Sequence, residues 1–166
     1  AMGGMMHLAH HAIMKGCLFL CAGVIMVRTG KKNVSEMKGI GYQLPLTMMC
    51  FSLCALAMMG TPPTVGFVSK WLLGNGALEA GEPVYLVVLL TSALLNAVYF
   101  LPIIYAAFFQ YEEGHAPEFS FREKTRWEML APVMLLAVLV LVVGIWIKVP
   151  GFPYSLVEPF VNVIFH

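Results

Sequence analysis

The chain has 166 residues, of which 60% are hydrophobic and 11% are charged, and its formal net charge is +1. A soluble domain carries about 45 to 50% apolar and about 25% charged residues, so the composition excludes an ordinary soluble domain and predicts a chain solvated by lipid. The near-neutral charge gives no electrostatic reason to expect nucleic acid as a partner.

Four apolar segments are long enough to cross a bilayer as helices, since a span needs about 20 apolar residues. They cover residues 4–27, 44–60 with 65–78, 84–109 and 129–147. The chain opens inside the first segment, so we expect the rear part of a longer protein or a split subunit. The expected fold class is an all-α membrane protein with four transmembrane helices, the second broken, and residues 1–166 forming one transmembrane region. The apolar tail 154–166 is too short to span and is expected to lie at the interface.

The first segment carries three titratable side chains on one face. His7, His11 and Lys15 are four residues apart, and each step of four rotates by about 40° and rises by about 6 Å. Histidine titrates near neutrality, and a lysine at bilayer depth is costly enough to call for a purpose. The spacing predicts a ladder of proton-carrying groups joined through water. His10 points elsewhere on this helix and is assigned no role.

Two cysteine pairs, Cys17 with Cys21 and Cys50 with Cys54, each span one helical turn in apolar sequence. Small buried side chains account for them. A four-thiolate metal site would need both pairs to face each other, and the spacing lacks the usual Cys-x-x-Cys arrangement. We therefore expect no metal and no cofactor in this chain.

The second segment is interrupted half-way by Gly60-Thr61-Pro62-Pro63-Thr64-Val65-Gly66. Consecutive prolines remove two backbone donors and disfavour helix just before them, so the helix must break. Non-helical backbone at membrane depth is tolerated only in protein or beside a wet cavity, which makes the break a candidate functional site. Its candidate residues are Gly60, Thr61, Pro62, Pro63, Gly66 and Ser69. An ordinary proline kink is the structural alternative.

Lys70 follows this break by one turn and has no acidic residue beside it in the apolar segment. Helical side chains lean towards their own N-terminus, so its ammonium should reach back towards the break. Carbonyls that end the first half-helix favour a protonated lysine there, whereas the start of the second half disfavours one. Together with desolvation, this predicts a lysine that loads and unloads a proton. A lysine that snorkels to the interface is the alternative.

The later part of the chain is less informative. Ser92 and Asn96 are weaker candidates on the third segment, because interhelical hydrogen bonds explain them without a channel. The loop from Tyr111 to Glu128 mixes five glutamates with three basic residues and is interpreted as a solvated connection or a docking surface.

Basic residues predict the orientation in the membrane. The first connection holds Arg28, Lys31, Lys32 and Lys38 and the third holds Arg122, Lys124 and Arg126, whereas residues 79–83 between them hold none. The positive-inside rule places the first and third connections in the cytoplasm and the C-terminus outside.

Two stretches resemble a known family. The run from His7 to Leu20, followed by Gly23 and Thr29-Gly30, resembles the antiporter-like membrane subunits of respiratory complex I, energy-converting hydrogenases and Mrp-type multisubunit cation/proton antiporters. The run from Gly60 to Trp71 is similar to the broken-helix signature of these subunits, closest to the branch that contains the Mrp D-type proteins and the hydrogenases. The resemblance covers all four segments, with specific motifs in the first half only. It implies a bundle of about fourteen helices built from inverted repeats, of which this chain is the last four.

The resemblance also implies roles and partners. His7 and His11 would belong to a hydrated polar axis in mid-membrane, Lys15 would be a lysine on that axis, and Lys70 would titrate near an outer half-channel. The ion-paired glutamate and lysine that drive this axis in the family lie on earlier helices that this sequence lacks. Other membrane subunits and earlier helices are thus implied as partners, with H⁺ or Na⁺ as the ion and a bacterial or archaeal cell membrane as the location.

The function expected is ion translocation. The chain would carry the latter part of a hydrated Lys/His proton path in a proton or Na⁺/H⁺ translocating subunit, without a chemical active site of its own, and it is compatible with a redox-driven translocase. Two alternatives stay open: a membrane redox subunit in which His7 and His11 contact haem or quinone, and a non-conducting scaffold. Haem is disfavoured, since bis-histidine ligation usually takes imidazoles from two helices.

Overall fold

The computed structural model describes residues 2–110, 123 and 125–146, and within these ranges the chain is helical, without strands. The helices are α1 Met2–Thr29, α2 Ile40–Gln43, α3 Pro45–Met59, α4 Val65–Glu79, α5 Val84–Phe109 and α6 Trp127–Trp146, with a 3₁₀ turn at Val34–Glu36 before α2. The predicted tail 154–166, the end of the fourth segment at Ile147 and most of the loop from Tyr111 to Glu128 lie outside the described residues.

The ends of these helices follow from local chemistry. The Thr29 hydroxyl donates to the Ile25 carbonyl at 2.8 Å, and α1 ends there because Gly30 takes φ +70°, a conformation that glycine adopts at little cost. Proline at the first position of α3 loses no helical hydrogen bond, since that N–H has no partner in the helix. α1 and α6 each begin two residues before the predicted segment.

α1 is the central helix of the bundle and packs against α3, α4 and α6. Its inner face is apolar and fully buried at Met14, Cys17 and Cys21, where it meets the core residues of the surrounding helices. The Cys17 thiol donates to the Val133 carbonyl of α6 at 3.5 Å. No group of three side chains able to hold a metal occurs among the described residues.

In the part of the chain that the structure describes, three helices are long and apolar enough to cross a membrane: Gly4–Thr29, Val84–Phe109 and Trp127–Ile145. α5 is the most exposed of them, with large apolar side chains such as Leu90, Leu94 and Val98 directed outwards. Such a largely apolar surface suits contact with lipid or with further membrane helices. α3 has 15 residues and is therefore about 22 Å long, which is less than the bilayer core of about 30 Å.

The start of α3 is held by a carboxylate from the far end of the chain. Glu123 accepts the Thr47 backbone N–H at 3.0 Å and the Thr47 hydroxyl at 2.6 Å, and it also accepts the Thr125 hydroxyl at 2.5 Å. A carboxylate is favourable at this place because the first N–H groups of a helix carry partial positive charge. Although the loop was interpreted as solvated, this glutamate is a structural contact between α3 and the segment before α6.

Candidate functional site

α3 and α4 are separated by five residues in which the helix is interrupted. Gly60 ends α3 in the left-handed conformation, with φ +92°, and its N–H bonds to the carbonyls of Leu56 and Ala57. Pro62 and Pro63 follow, so the interruption cannot be bridged by backbone hydrogen bonds from these two positions. α4 then begins at Val65.

Lys70 closes the end of α3. Its Nζ atom donates to the Met58 carbonyl at 2.7 Å and to the Met59 carbonyl at 3.1 Å. The Thr61 hydroxyl donates to the Leu56 carbonyl at 2.6 Å, so the last four carbonyls of α3 all have donors. A Cβ on Gly60 would lie 3.0 Å from the Lys70 side chain, which means that the glycine leaves the space through which the lysine passes.

The two half-helices approach so closely that only glycine fits at the crossing. A Cβ on Gly66 would overlap the Ala57 carbonyl and would lie 3.2 Å from the Met14 sulfur of α1. Gly66 therefore allows the first turn of α4 to lie directly against the last turn of α3. This contact holds Lys70 over the end of α3.

The ladder on α1 meets the broken helix at Ser69. The rings of His7 and His11 have their centres 5.7 Å apart with a tilt of 42°, and His7 Nδ1 lies 3.0 Å from the Ser69 hydroxyl. Ser69 is fully buried and donates to the Gly66 carbonyl at 3.2 Å. Its hydroxyl hydrogen is thereby used, so the oxygen accepts a hydrogen from His7 Nδ1, and Nε2 is the ring nitrogen without a hydrogen when the imidazole is neutral.

Lys15, the third residue of the ladder, and Lys70 both lie near the two histidines. His11 lies within electrostatic range of both lysines, and His7 lies within range of Lys70. Lys15 is exposed and borders a cavity of about 410 Å³, whose other walls include Phe51 and Tyr99. The four titratable candidates therefore lie in one region, beside the interruption between α3 and α4.

Ser92 and Asn96 lie apart from this group. The Asn96 amide donates to the Ser92 carbonyl one turn earlier at 2.8 Å, and both residues line a groove formed entirely by α5. They are thus positioned on the outer surface of α5 and not beside α1 or α4.

Sequence reasoning missed one contact and one buried side chain of this site. It gave Ser69 a place in the break but not its bond to His7, and it left His10 aside although this side chain is 6% exposed. The burial of His10 has a sequence signal, since His10, Met14, Cys17 and Cys21 recur at helical spacing on one face. The Ser69 contact joins residues 62 positions apart and has no such local signal.

These features define a class of protein: an integral membrane protein with apolar spanning helices, a helix interrupted by glycine and proline, and a row of titratable side chains against the interruption. The family described as NADH:quinone oxidoreductase/Mrp antiporter, transmembrane, matches residues 1–96. The chain belongs to this family.

Individual relatives agree with the family match. The chain is 40% identical over 153 residues to NADH-quinone oxidoreductase subunit N of Desulforudis audaxviator, covering 87% of this chain and 30% of that protein. It is 31% identical over 143 residues to the D component of the Na(+)/H(+) antiporter of Bacillus subtilis, covering 86% of this chain and 28% of that protein. The chain therefore spans about a third or less of the length of the curated relatives it matches.

A solved structure supports the fold. A chain in the structure of the Mrp complex from a Dietzia strain matches with a TM-score of 0.76 at 24% sequence identity, over 89% of this chain and 35% of that chain. The arrangement of helices described above is thus one that a larger membrane assembly contains.

Proposed function

We propose that this chain carries the later part of a proton path in an antiporter-like subunit of a multisubunit membrane complex, and that this subunit translocates protons or exchanges Na⁺ for H⁺. The observation that carries the proposal is the contact between His7 and Ser69 at 3.0 Å, because it joins the ladder of α1 to the broken helix. Names of relatives that include antiporter and NADH-quinone oxidoreductase subunits support it.

We infer that α3 and α4 form one discontinuous span, with the break in mid-membrane. Each half has 15 residues, so neither crosses the bilayer alone, whereas both together exceed the required length of about 20 residues. With α1, α5 and α6 this makes four spans. The basic connections then lie in the cytoplasm and the C-terminus lies outside, in the cell membrane of a bacterium or archaeon.

Lys70 acts as the terminal proton carrier beside Gly60, Thr61, Pro62, Pro63 and Gly66. A protonated lysine has three donors, and two of them are used by the Met58 and Met59 carbonyls. A neutral amine still has two N–H groups, so these two bonds can persist when the third hydrogen leaves. The amine then offers a lone pair to a proton that arrives through water.

His7, His11 and Lys15 supply that proton. The side chains are one turn apart on α1, and neighbouring rings at 5.7 Å are separated by a distance that a single water bridges. Lys15, on the open side of α1, accepts protons from the rest of the assembly. A carboxylate and lysine pair on earlier helices of the longer protein is the partner that this exposed lysine requires.

Ser92 and Asn96 serve a different purpose. Polar side chains on an exposed membrane helix favour hydrogen bonds with a neighbouring helix, so we assign them to packing against another membrane segment. The redox alternative finds less support, because His7 and His11 lie on one face of one helix with a ring tilt of 42° and cannot bind opposite sides of one haem iron.

The test uses vesicles containing the assembled complex, with transport followed by a pH-sensitive dye at equal expression. Lys70→Ala and Lys15→Ala should each abolish transport while assembly persists. Lys70→Arg is the decisive variant, because arginine can donate to the same carbonyls but does not release its proton. Lys38→Ala, at an exposed loop position, is the matched control and should transport normally.

The outcomes distinguish a Lys70 that carries protons from a Lys70 that only donates hydrogen bonds to the end of α3. Loss of transport in Lys70→Arg, with normal assembly, supports proton carriage by this residue. Normal transport in Lys70→Arg would show that only the hydrogen bonds to α3 matter. Normal transport in both alanine variants would leave the chain as a scaffold.

A further inference from the structure

Gly144 of α6 lies directly against the break between α3 and α4. A Cβ atom at this position would overlap the Pro63 carbonyl oxygen, and it would lie 2.5 Å from the Val65 nitrogen and 2.6 Å from the Thr64 carbonyl carbon. These separations are shorter than 3.0 Å, a limit below which Cβ atoms essentially never approach other atoms. The backbone of α6 therefore touches the backbone of the break, and only glycine permits this contact.

The buried part of the break is enclosed by two neighbouring helices. Gly144 of α6 lies against Thr64 and Val65, which are 3% and 0% exposed. Gly66, the next residue, lies against Ala57 of α3. Protein interiors are close-packed, so a segment enclosed in this way cannot shift without displacing its neighbours. The start of α4 is therefore held by α6 as well as by α3.

The break is also closed by its own hydrogen bonds. The Thr61 carbonyl accepts the Thr64 hydroxyl at 2.6 Å and the Thr64 N–H at 3.1 Å. The Phe67 N–H donates to the Thr64 carbonyl at 3.2 Å. These bonds fix the conformation of the segment that Gly144 touches.

We propose that Gly144 is a positioning residue for Lys70, and that the break stays fixed while Lys70 exchanges its proton. The inference rests on the proposed function, in which Lys70 carries the proton. Lys70 follows Val65 by five residues in α4, so a displacement of Val65 is passed along the helix to the lysine. Its Nζ atom donates to two α3 carbonyls at 2.7 and 3.1 Å, and such bonds weaken when the distance rises. Gly144 thus acts on transport through the position of α4 and does not itself touch the proton.

Gly144→Ala tests this role. To reach an ordinary contact distance, the methyl group must displace the start of α4 by roughly 1 Å. A misplacement of about 1 Å can lower a rate about a hundredfold, and we expect transport per assembled complex to fall at least about tenfold. Gly16→Ala is the matched control, because a Cβ there would lie 3.6 Å from Leu136 of α6, an ordinary contact. This control should transport normally.

The Lys70 amine allows a measurement that does not depend on transport. In the assembled complex with ¹⁵N-labelled lysine, the Lys70 Nζ signal is assigned by its disappearance in Lys70→Arg. We expect this signal to shift in Gly144→Ala, because the hydrogen bonds to α3 change, and to stay in place in Gly16→Ala. A loss of stability alone would leave the signal of the assembled complexes unchanged.

Two results for Gly144→Ala would overturn the proposal. Normal transport per assembled complex would show that transport does not need this contact. An unshifted Lys70 signal would show that the position of the lysine does not depend on Gly144. If Lys70→Arg transports normally, the proposed function fails, whereas a shifted signal in Gly144→Ala still supports the positioning of Lys70 by α6.

A measurement on the unsubstituted complex applies even if Gly144→Ala does not assemble. The backbone amides of Thr64 and Phe67 are bonded within the break, so their hydrogen exchange should be equally slow with and without transport. Faster exchange during transport would mean that the break opens, and this result would overturn the proposal.

Discussion

The two ends of α3 are closed by opposite charges that come from different parts of the chain. At its start the Glu123 carboxylate accepts two hydrogen bonds from Thr47, and at its end the Lys70 amine donates to Met58 and Met59. Both charges suit the helix dipole. They differ in surroundings, because Glu123 has a further bond to Thr125, whereas Lys70 lies within electrostatic range of His7 and His11.

Because of this difference, Glu123 is a fixed structural contact, whereas Lys70 is the group that we propose to exchange a proton. A carboxylate that is held by fixed donors keeps the start of α3 in place. A lysine that is bonded only to carbonyls, next to titratable rings, can exchange a proton without losing both of its hydrogen bonds. The same electrostatic rule therefore supports stability at one end of the helix and the proposed transport at the other.

The largest effect is expected where α4 crosses the end of α3. Gly66→Ala places a methyl group into the Ala57 carbonyl, so the half-helices must separate, and we expect a loss of about 3 kcal/mol, the upper part of the range for overpacking. Thermal unfolding of the purified complex measures it. Gly76→Ala is the control, since a Cβ there meets no atom within 4 Å, and it should be neutral or slightly stabilising. Equal effects of both substitutions would contradict the close crossing.

The second largest effect is expected when the contact between Glu123 and the start of α3 is lost. Glu123→Gln removes the charge that accepts the Thr47 groups, and hydrogen bonds to charged groups contribute about 1.5 to 3 kcal/mol, so we expect a loss of about 2 kcal/mol. Transport per assembled complex should stay at the wild-type level. Glu128→Gln is the control, because its ion pair with Arg126 is exposed and contributes little. Reduced transport at normal assembly in Glu123→Gln would contradict this prediction, because Glu123 would then be needed for transport as well as for stability.

Ser69→Ala tests the connection between the ladder on α1 and the end of α3 where Lys70 lies. The substitution removes the acceptor of His7 Nδ1, so the ring loses its fixed orientation, and we expect transport to fall about tenfold, equivalent to about 1.4 kcal/mol. Vesicle transport measures it. Ser52→Ala serves as control because its hydroxyl only donates to Met48 within α3. An unchanged transport rate in Ser69→Ala would contradict the proposed function, because that proposal rests on the contact between His7 and Ser69.

The smallest effect concerns an exposed carboxylate in the first connection. Hydrogen bonds from the Asn33 side chain, and from the backbones of Asn33 and Lys32, lower the pKa of Glu36 from its usual value of 4.5. A lowered pKa in the folded state means that the stabilisation is present above pH 4.5 and is lost as the pH falls through the folded value. Hydrogen exchange of the Asn33 backbone amide should therefore become faster only when the pH falls below the folded-state pKa of Glu36. In Glu36→Gln the exchange rate should show no such step, and a step there would assign it to another group.

Local sequence predicted much of the helical framework. Pro62 and Pro63 are sufficient to predict an interruption of the helix, because proline has no backbone N–H to donate in any conformation. Lys70 reaches back over the break, in the direction that the lean of helical side chains predicts. Burial of His10 was also predictable, because His10 shares its helix face with the apolar residues Met14, Cys17 and Cys21, although this signal was not used.

The apolar helices, the place of the break and the spacing of His7, His11 and Lys15 can be predicted from local sequence, since each depends on residues within a few helical turns. The contact of Ser69 with His7 and that of Glu123 with the start of α3 depend on the packing of the helices. These contacts join residues 62 and 76 positions apart. Their partners are chosen by how whole helices pack, and packing depends on the shapes of many side chains at once.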